Sequence, residues 1–259
     1  MEQENKILQV KINDKPVSVQ YGTTVLEAAK KIGVEIPTLC YHPALEAYGV
    51  CRVCIVEMKR GKRSRIVTSC NYPIQEDGLE FFTNTERIQR DRKIVIEMLL
   101  ARCWDSPVIR EFAAKFGIYD TDLEKTKNEQ CMLCGLCVNV CRDLIGQSAI
   151  TFESRGVDRK TVVPFHKPSD ACIGCGACAY VCPTGCIKLE NLPQERVIER
   201  WQSELPLLTC KICGKGFGTA RQLEILKEKN PLTRLYLTTC PECREKELAE
   251  KMIKQGGVL

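Results

Sequence analysis

The sequence predicts an α+β protein assembled from small modules, each organised around cysteine-bound metal. Three observations carry this reading. Eight cysteines fall in two matched quartets, C-x2-C-x2-C-x3-C, one in CMLCGLCVNVC and one in CIGCGACAYVCP. Two further groups of four cysteines lie before and after them. Between the cysteines, segments of strand period alternate with segments of helical period.

Eighteen cysteines in 259 residues are extraordinary in a reducing compartment unless they bind metal. A secreted disulfide protein is the alternative. The polar opening MEQENKILQV does not read as a signal peptide, and the cysteines come in tight C-x2-C pairs. The expectation is a cytoplasmic protein. The longest apolar run, IVIEMLLA, is short and carries a glutamate, so no membrane insertion is expected. The net charge of +5 is modest. Its one basic cluster, KRGKRSR at 59–65, reads as a solvated hairpin tip, and no nucleic-acid partner is expected.

In chain order, ILQVKI alternates as a half-buried strand should, Asn13-Asp14 marks a turn, and PVSVQY returns. Thr23 or Thr24 caps a helix, TVLEAAKKIG, which stops at Gly33. A long cysteine-bearing loop follows. IVEM and RIVTSC read as paired strands, and GLEFFTN as the last strand of the module. Strand, strand, helix and cysteine loop is the order of a β-grasp ferredoxin domain, placed at 1–83.

Cys40, Cys51, Cys54 and Cys70 are spaced C-x10-C-x2-C-x15-C and fit one [2Fe-2S] cluster, two thiolates to each iron. A zinc site with two spare cysteines is the alternative. His42 lies inside the first gap and reads as structural. The long gap holding Tyr41-His42-Pro43, ended by Gly49-Val50-Cys51-Arg52-Val53-Cys54, resembles three groups of proteins. These are the N-terminal domain of the large iron–sulfur subunit of respiratory complex I, the small subunit of the diaphorase module of NAD-linked bidirectional hydrogenases, and the N-terminus of multimeric iron-only hydrogenases.

Residues 84–127 read as a helical linker. Thr85 caps TERIQRDRKIVIEMLLARC, with Ile88, Arg92 or Val95, Met98 and Leu99 expected on one face. The families just named carry here a loop with a histidine-ligated [4Fe-4S] cluster. This chain has only Cys103 and Trp-Asp-Ser-Pro before VIREFAAKFGI, so that loop and its cluster are expected to be missing.

Residues 128–195 hold the matched quartets, the signature of a two-cluster ferredoxin in which the fourth cysteine of each run ligates the other cluster. Cys131, Cys134 and Cys137 are therefore expected to join Cys182 around one [4Fe-4S] cluster, and Cys172, Cys175 and Cys178 to join Cys141 around the second. Gly135, Gly174 and Gly176 let the backbone approach the clusters. Between the runs, a short helix and a hairpin turning at Arg155-Gly156 are expected, and Cys186 reads as a small apolar residue.

Residues 196–259 read as a small zinc-knuckle domain with four cysteine ligands, ending in an exposed helix. Cys210, Cys213, Cys240 and Cys243 make two C-x2-C pairs separated by 26 residues. Four thiolates close a tetrahedral site, for zinc first and a mononuclear iron second. The insert FGTARQLEILKEKNPLTRLYL reads as a helix followed by an apolar strand-like segment.

No nucleotide-binding glycine fingerprint, P-loop or nucleophile–base pair is present, and there are only two histidines. The cofactors carry the chemistry, so the chain reads as a non-catalytic electron-transfer subunit of an oxidoreductase complex. The resemblance, over roughly residues 1–190, implies a hetero-oligomer with a flavoprotein subunit that handles NAD(P)H and a hydrogenase or other catalytic redox subunit, including complexes of the flavin-bifurcating kind. An NAD-linked formate dehydrogenase is the nearest alternative, and a redox-sensing regulator the more distant one.

Overall fold

β1 (Ile7–Ile12) and β2 (Lys15–Gln20) form an antiparallel hairpin in which Leu8, Val10 and Ile12 face Val17 and Val19 on one buried side. Its two-residue turn, Asn13-Asp14, has both φ angles positive, as a hairpin turn of matching twist requires. The structure is a computed structural model describing residues 6–126, 130–229 and 237–254. It falls into two compact units, Met1–Leu136 and Cys137–Leu259.

In the first unit, α1 (Val25–Lys31) is capped by Thr24. The Thr24 hydroxyl accepts from the Glu27 amide, and the Glu27 carboxylate accepts from the Thr24 amide. β3 (Ile55–Arg60) and β4 (Arg63–Thr68) make the basic-tipped hairpin, and β5 (Glu80–Phe82) lies between β1, to which it is parallel, and β3. The five-stranded order β2-β1-β5-β3-β4 is a β-grasp sheet. Leu26 and Ala29 of α1 share its core with Leu8, Val56, Ile74 and Phe81.

α2 (Glu86–Arg102) starts at Thr85, whose hydroxyl accepts from the Ile88 amide. Its buried residues are Ile88, Arg92, Ile96 and Leu100, one i, i+4 row, with Ala101 beside the last. Met98, expected inside, is 59% exposed. α3 (Pro107–Ala114) begins after only four residues, with the Ser106 amide bonded to the Cys103 carbonyl. There is no ligand loop between the two helices, and Cys103 is fully buried at the C-cap of α2.

α4 (Leu136–Asn139), which begins on the last residue of the first unit, passes directly into a π-turn of the second, Val140–Leu144. β6 (Thr151–Glu153) and β7 (Lys160–Val162) form the expected hairpin around Gly156. The single turn α5 (Ala177–Tyr180) carries Cys178. Then β8 (Leu189–Asn191), β9 (Glu195–Ile198), β10 (Ser203–Thr209) and β11 (Gly216–Thr219) make one antiparallel sheet. Residues on both sides of position 195 thus share a sheet. Phe217-Gly218-Thr219, expected to open a helix, belongs to β11, and α6 (Ala220–Lys229) starts directly after it. α7 (Pro241–Lys254) follows the last cysteine pair, with Leu248 and Met252 exposed. Most of the apolar segment expected after α6 lies outside the described residues.

Candidate metal centres

In the first unit the loop from α1 to β3 delivers Cys40, Cys51 and Cys54, and the turn after β4 delivers Cys70. All four are buried, none more than 6% exposed. Gly49 makes this fold possible. It has φ +69°, and a Cβ there would stand 2.6 Å from the Asn71 side chain, so the Cys51 loop packs directly on the residue after Cys70.

The four thiols are divided two and two. The hydrogen bond with Cys40 draws the Cys51 thiol down to about 6 and pushes Cys40 up, and the one with Cys70 draws Cys54 down to about 7 and pushes Cys70 up. Each pair gives up its first proton more readily than two isolated thiols would. Backbone amides of Val53, Cys40 and Leu39 also point to the Cys51 sulfur, and such donors favour the thiolate, the form that ligates metal. The buried Ser69 hydroxyl has no partner within ordinary hydrogen-bond limits, but it lies against Cys54 and lowers that thiol. Four buried thiols with such donors at their sulfurs are suited to binding metal as thiolates. His42 Nδ1 accepts from the Ala44 amide at 3.3 Å.

Cys131 and Cys134 are buried near the end of the first unit, where Arg102 Nε donates to the Cys131 carbonyl at 3.0 Å. Cys137 and Cys182 belong to the second unit. Cys182 sits 3.6 Å, sulfur to sulfur, from Cys186, and that contact draws its thiol down to about 5. Cys186 is therefore a hydrogen-bond partner of an expected ligand, where the sequence suggested only an apolar filler.

The second quartet is the better defined. Cys172, Cys175 and Cys178 line a small apolar cavity, and Cys141, from the other run, lines the same cavity. The π-turn carries Cys141 there, and the Ala149 amide donates to its sulfur at 3.3 Å. Trp201 Nε1 donates to Cys178 Sγ at 3.3 Å. Burial pushes the Cys178 thiol up to about 11, and the indole works against that rise. Trp201, 1% exposed, was missed in the sequence, because nothing local marks a tryptophan 23 residues beyond a ligand as its partner.

Cys210, Cys213, Cys240 and Cys243 converge so that all four sulfurs lie within 4.8 Å of one another. Cys210 and Cys213 come from the β10–β11 connection, and Cys240 and Cys243 from the start of α7. The Cys240 amide donates to Cys210 Sγ at 3.2 Å. Burial works to raise the Cys210 thiol, but amide donors from Cys213, Cys240 and Ile212 draw it down to about 6. Cys213 alone is exposed. The geometry fits a single tetrahedral ion.

Residues 5–86 match the family of 2Fe-2S iron-sulfur cluster binding domains, and residues 130–186 match the 4Fe-4S dicluster domain. The chain is homologous to subunits of larger redox enzymes. An NADH-quinone oxidoreductase subunit of Rhizobium meliloti (strain 1021) is 28% identical over 236 residues, covering 81% of this chain and 27% of that protein. The alpha subunit of the NADPH-Fe(3+) oxidoreductase of Geobacter sulfurreducens is 30% identical over 238 residues, with the same coverage. The NADP-reducing hydrogenase subunit HndD of Solidesulfovibrio fructosivorans is 30% identical over 216 residues, 70% of this chain and 36% of that protein. This chain spans about a quarter to a third of the length of these relatives. A crystal structure of an NAD+-reducing [NiFe]-hydrogenase in the H2-reduced state superposes with a TM-score of 0.54 at 26% identity, over 61% of this chain and 75% of that one. Among the described residues no helix is long and apolar enough to cross a membrane.

Proposed function

We propose that this chain, a homologue of subunits of NAD(P)-linked oxidoreductases and hydrogenases, is the electron-transfer iron–sulfur subunit of a hetero-oligomeric complex of that kind. The observation that carries the reading is the cavity in which Cys141 of one quartet meets Cys172, Cys175 and Cys178 of the other. A crossed ligand set of this form belongs to two-cluster electron carriers. When bound, the clusters supply single-electron transfer. The chain supplies thiolates, amide donors to their sulfurs and a dry surround, which together set the potential.

In this reading Cys40 and Cys51 hold one iron of a [2Fe-2S] cluster and Cys54 and Cys70 the other, as the two thiol pairs suggest. Cys131, Cys134, Cys137 and Cys182 hold one [4Fe-4S] cluster, and Cys172, Cys175, Cys178 and Cys141 the second. Cys210, Cys213, Cys240 and Cys243 hold a structural zinc, which the closed, all-thiolate geometry favours. In this reading the four-residue connection from α2 to α3 leaves no room for the ligand loop of a histidine-ligated cluster.

The complex pairs the chain with an NAD(P)H-handling flavoprotein and a hydrogenase-type catalytic subunit in the cytoplasm. The test is anaerobic co-purification on a tagged chain, followed by addition of NADH or NADPH. The expected result is reduced-cluster signals in the complex and none in the isolated chain. Direct reduction of the isolated chain by NADH would mean that it has its own flavin or nucleotide site and is not a pure conductor.

A further inference from the structure

The loop that holds the second [4Fe-4S] cluster is gripped by residues outside the matched dicluster segment, 130–186. Three successive carbonyls are each met by a side chain from the C-terminal sheet or the helix that follows it. Arg221 Nη1, at the start of α6, donates to the Cys172 carbonyl at 3.3 Å. The Thr219 hydroxyl, at the end of β11, donates to the Ile173 carbonyl. Arg196 Nη1, in β9, donates to the Gly174 carbonyl at 2.6 Å. The fit is close: Gly174 has φ +65°, and a Cβ there would stand 2.7 Å from both Leu205 and Thr219 side chains. Trp201, in the turn between β9 and β10, then reaches the ligand sulfur itself.

Two of these contacts act on charge. An N–H aimed at a ligand sulfur stabilises the electron-rich state more than the electron-poor one, because its positive end faces the added negative charge. Arg196 is only 9% exposed. Its partners are the neutral Asn191 Oδ1 and the Gly174 carbonyl, and it makes no ion pair with a carboxylate among the described residues. A buried cation normally has an anion close by. The residue that follows its carbonyl partner is the ligand Cys175, and a cluster of four thiolates carries the missing negative charge.

We propose that the C-terminal sheet is a wall of the second [4Fe-4S] site, in which Trp201 and Arg196 are positioning residues that stabilise the reduced cluster and so raise its reduction potential. This rests on the ligand set proposed above, and it assigns to the C-terminal segment a role in electron transfer beyond carrying a metal staple.

The experiment is a redox titration of the full chain, anaerobically purified, as wild type and as Trp201→Phe, Arg196→Gln and Arg196→Lys, with iron counted in each. Trp201→Phe should keep its iron and move one [4Fe-4S] couple to more negative potential, with the other couples unmoved. The expected size is up to a tenfold fall in the reduction equilibrium, about 59 mV for one electron. Arg196→Gln should move the same couple in the same direction, and Arg196→Lys should restore most of the shift. Full iron with no shift in Trp201→Phe overturns the proposal, as does an equal shift in every cluster. Should Trp201→Phe lose the cluster, wild-type protein with isotope-labelled indole nitrogen decides. Magnetic coupling of that nitrogen to a reduced [4Fe-4S] cluster supports the proposal, and its absence overturns it. A wild-type chain without two [4Fe-4S] clusters would instead refute the ligand assignment, a different failure read from the iron count alone.

Discussion

Arg92 Nε, on the inner face of α2, donates to the carbonyl of Val53 at 3.0 Å, the residue directly before Cys54. Its Nη2 donates to the carbonyls of Ile55 and Thr83. The guanidinium therefore brackets a ligand of the proposed [2Fe-2S] cluster, 5% exposed and joined only to carbonyls. Arg92→Met should leave three buried acceptors unsatisfied and cost about 3 kcal/mol or more. It should also lower the potential of the [2Fe-2S] couple by removing a buried positive charge. Thermal melting and redox titration read the two effects separately. Unchanged melting and potential would contradict the role.

The row Ile88, Arg92, Ile96, Leu100 makes a second prediction. Ile96→Ala should destabilise the first unit by about 2–5 kcal/mol, as truncation of a fully buried side chain does. Met98→Gln, on the solvent side, should stay within about 0.5 kcal/mol. A reversed order in melting experiments would restore the face inferred from sequence.

The α1 capping box is a smaller, local test. Thr24→Ala removes the acceptor for the Glu27 amide and should cost about 1 kcal/mol. Thr24→Ser, which keeps the hydroxyl, should cost much less. The first unit's melting temperature measures both.

At the C-terminal site, Cys213→Ser should lower the bound metal from about one ion per chain toward none, because three thiolates and a hydroxyl make a poorer zinc site. Metal retention in the wild type should fall as pH falls, since the ligating form is the thiolate and protons compete with the ion. Hydrogen exchange should then quicken in β10 and β11, whose connection carries Cys210 and Cys213. Metal analysis at stepped pH, with exchange on the same samples, checks both. Metal loss without faster exchange would mean that the ion does not brace the sheet.

Much of this was legible in the sequence. Alternation drew β1 and β2, Thr24 and Thr85 announced their helices, and the cysteine motifs picked out the residues that line the second-quartet cavity and those that converge at the C-terminal site. What escaped was set by distant partners. Met98 looked as apolar as Ile96, and only the sheet beneath α2 selects the row that includes Arg92. The π-turn that carries Cys141 has no residue signature of its own. Phe217-Gly218-Thr219 joins β11 because β10 offers a free edge. Trp201 and Arg196 gain their meaning from a loop more than twenty residues earlier.

Metal content of the anaerobically purified chain tests the central claim most directly. The account predicts about ten irons, from one dinuclear and two tetranuclear clusters, and about one zinc per chain. About fourteen irons would reveal a further tetranuclear cluster that the short α2–α3 turn does not provide for. About eight irons with two zincs would make the first unit a zinc module and contradict the three-cluster conductor.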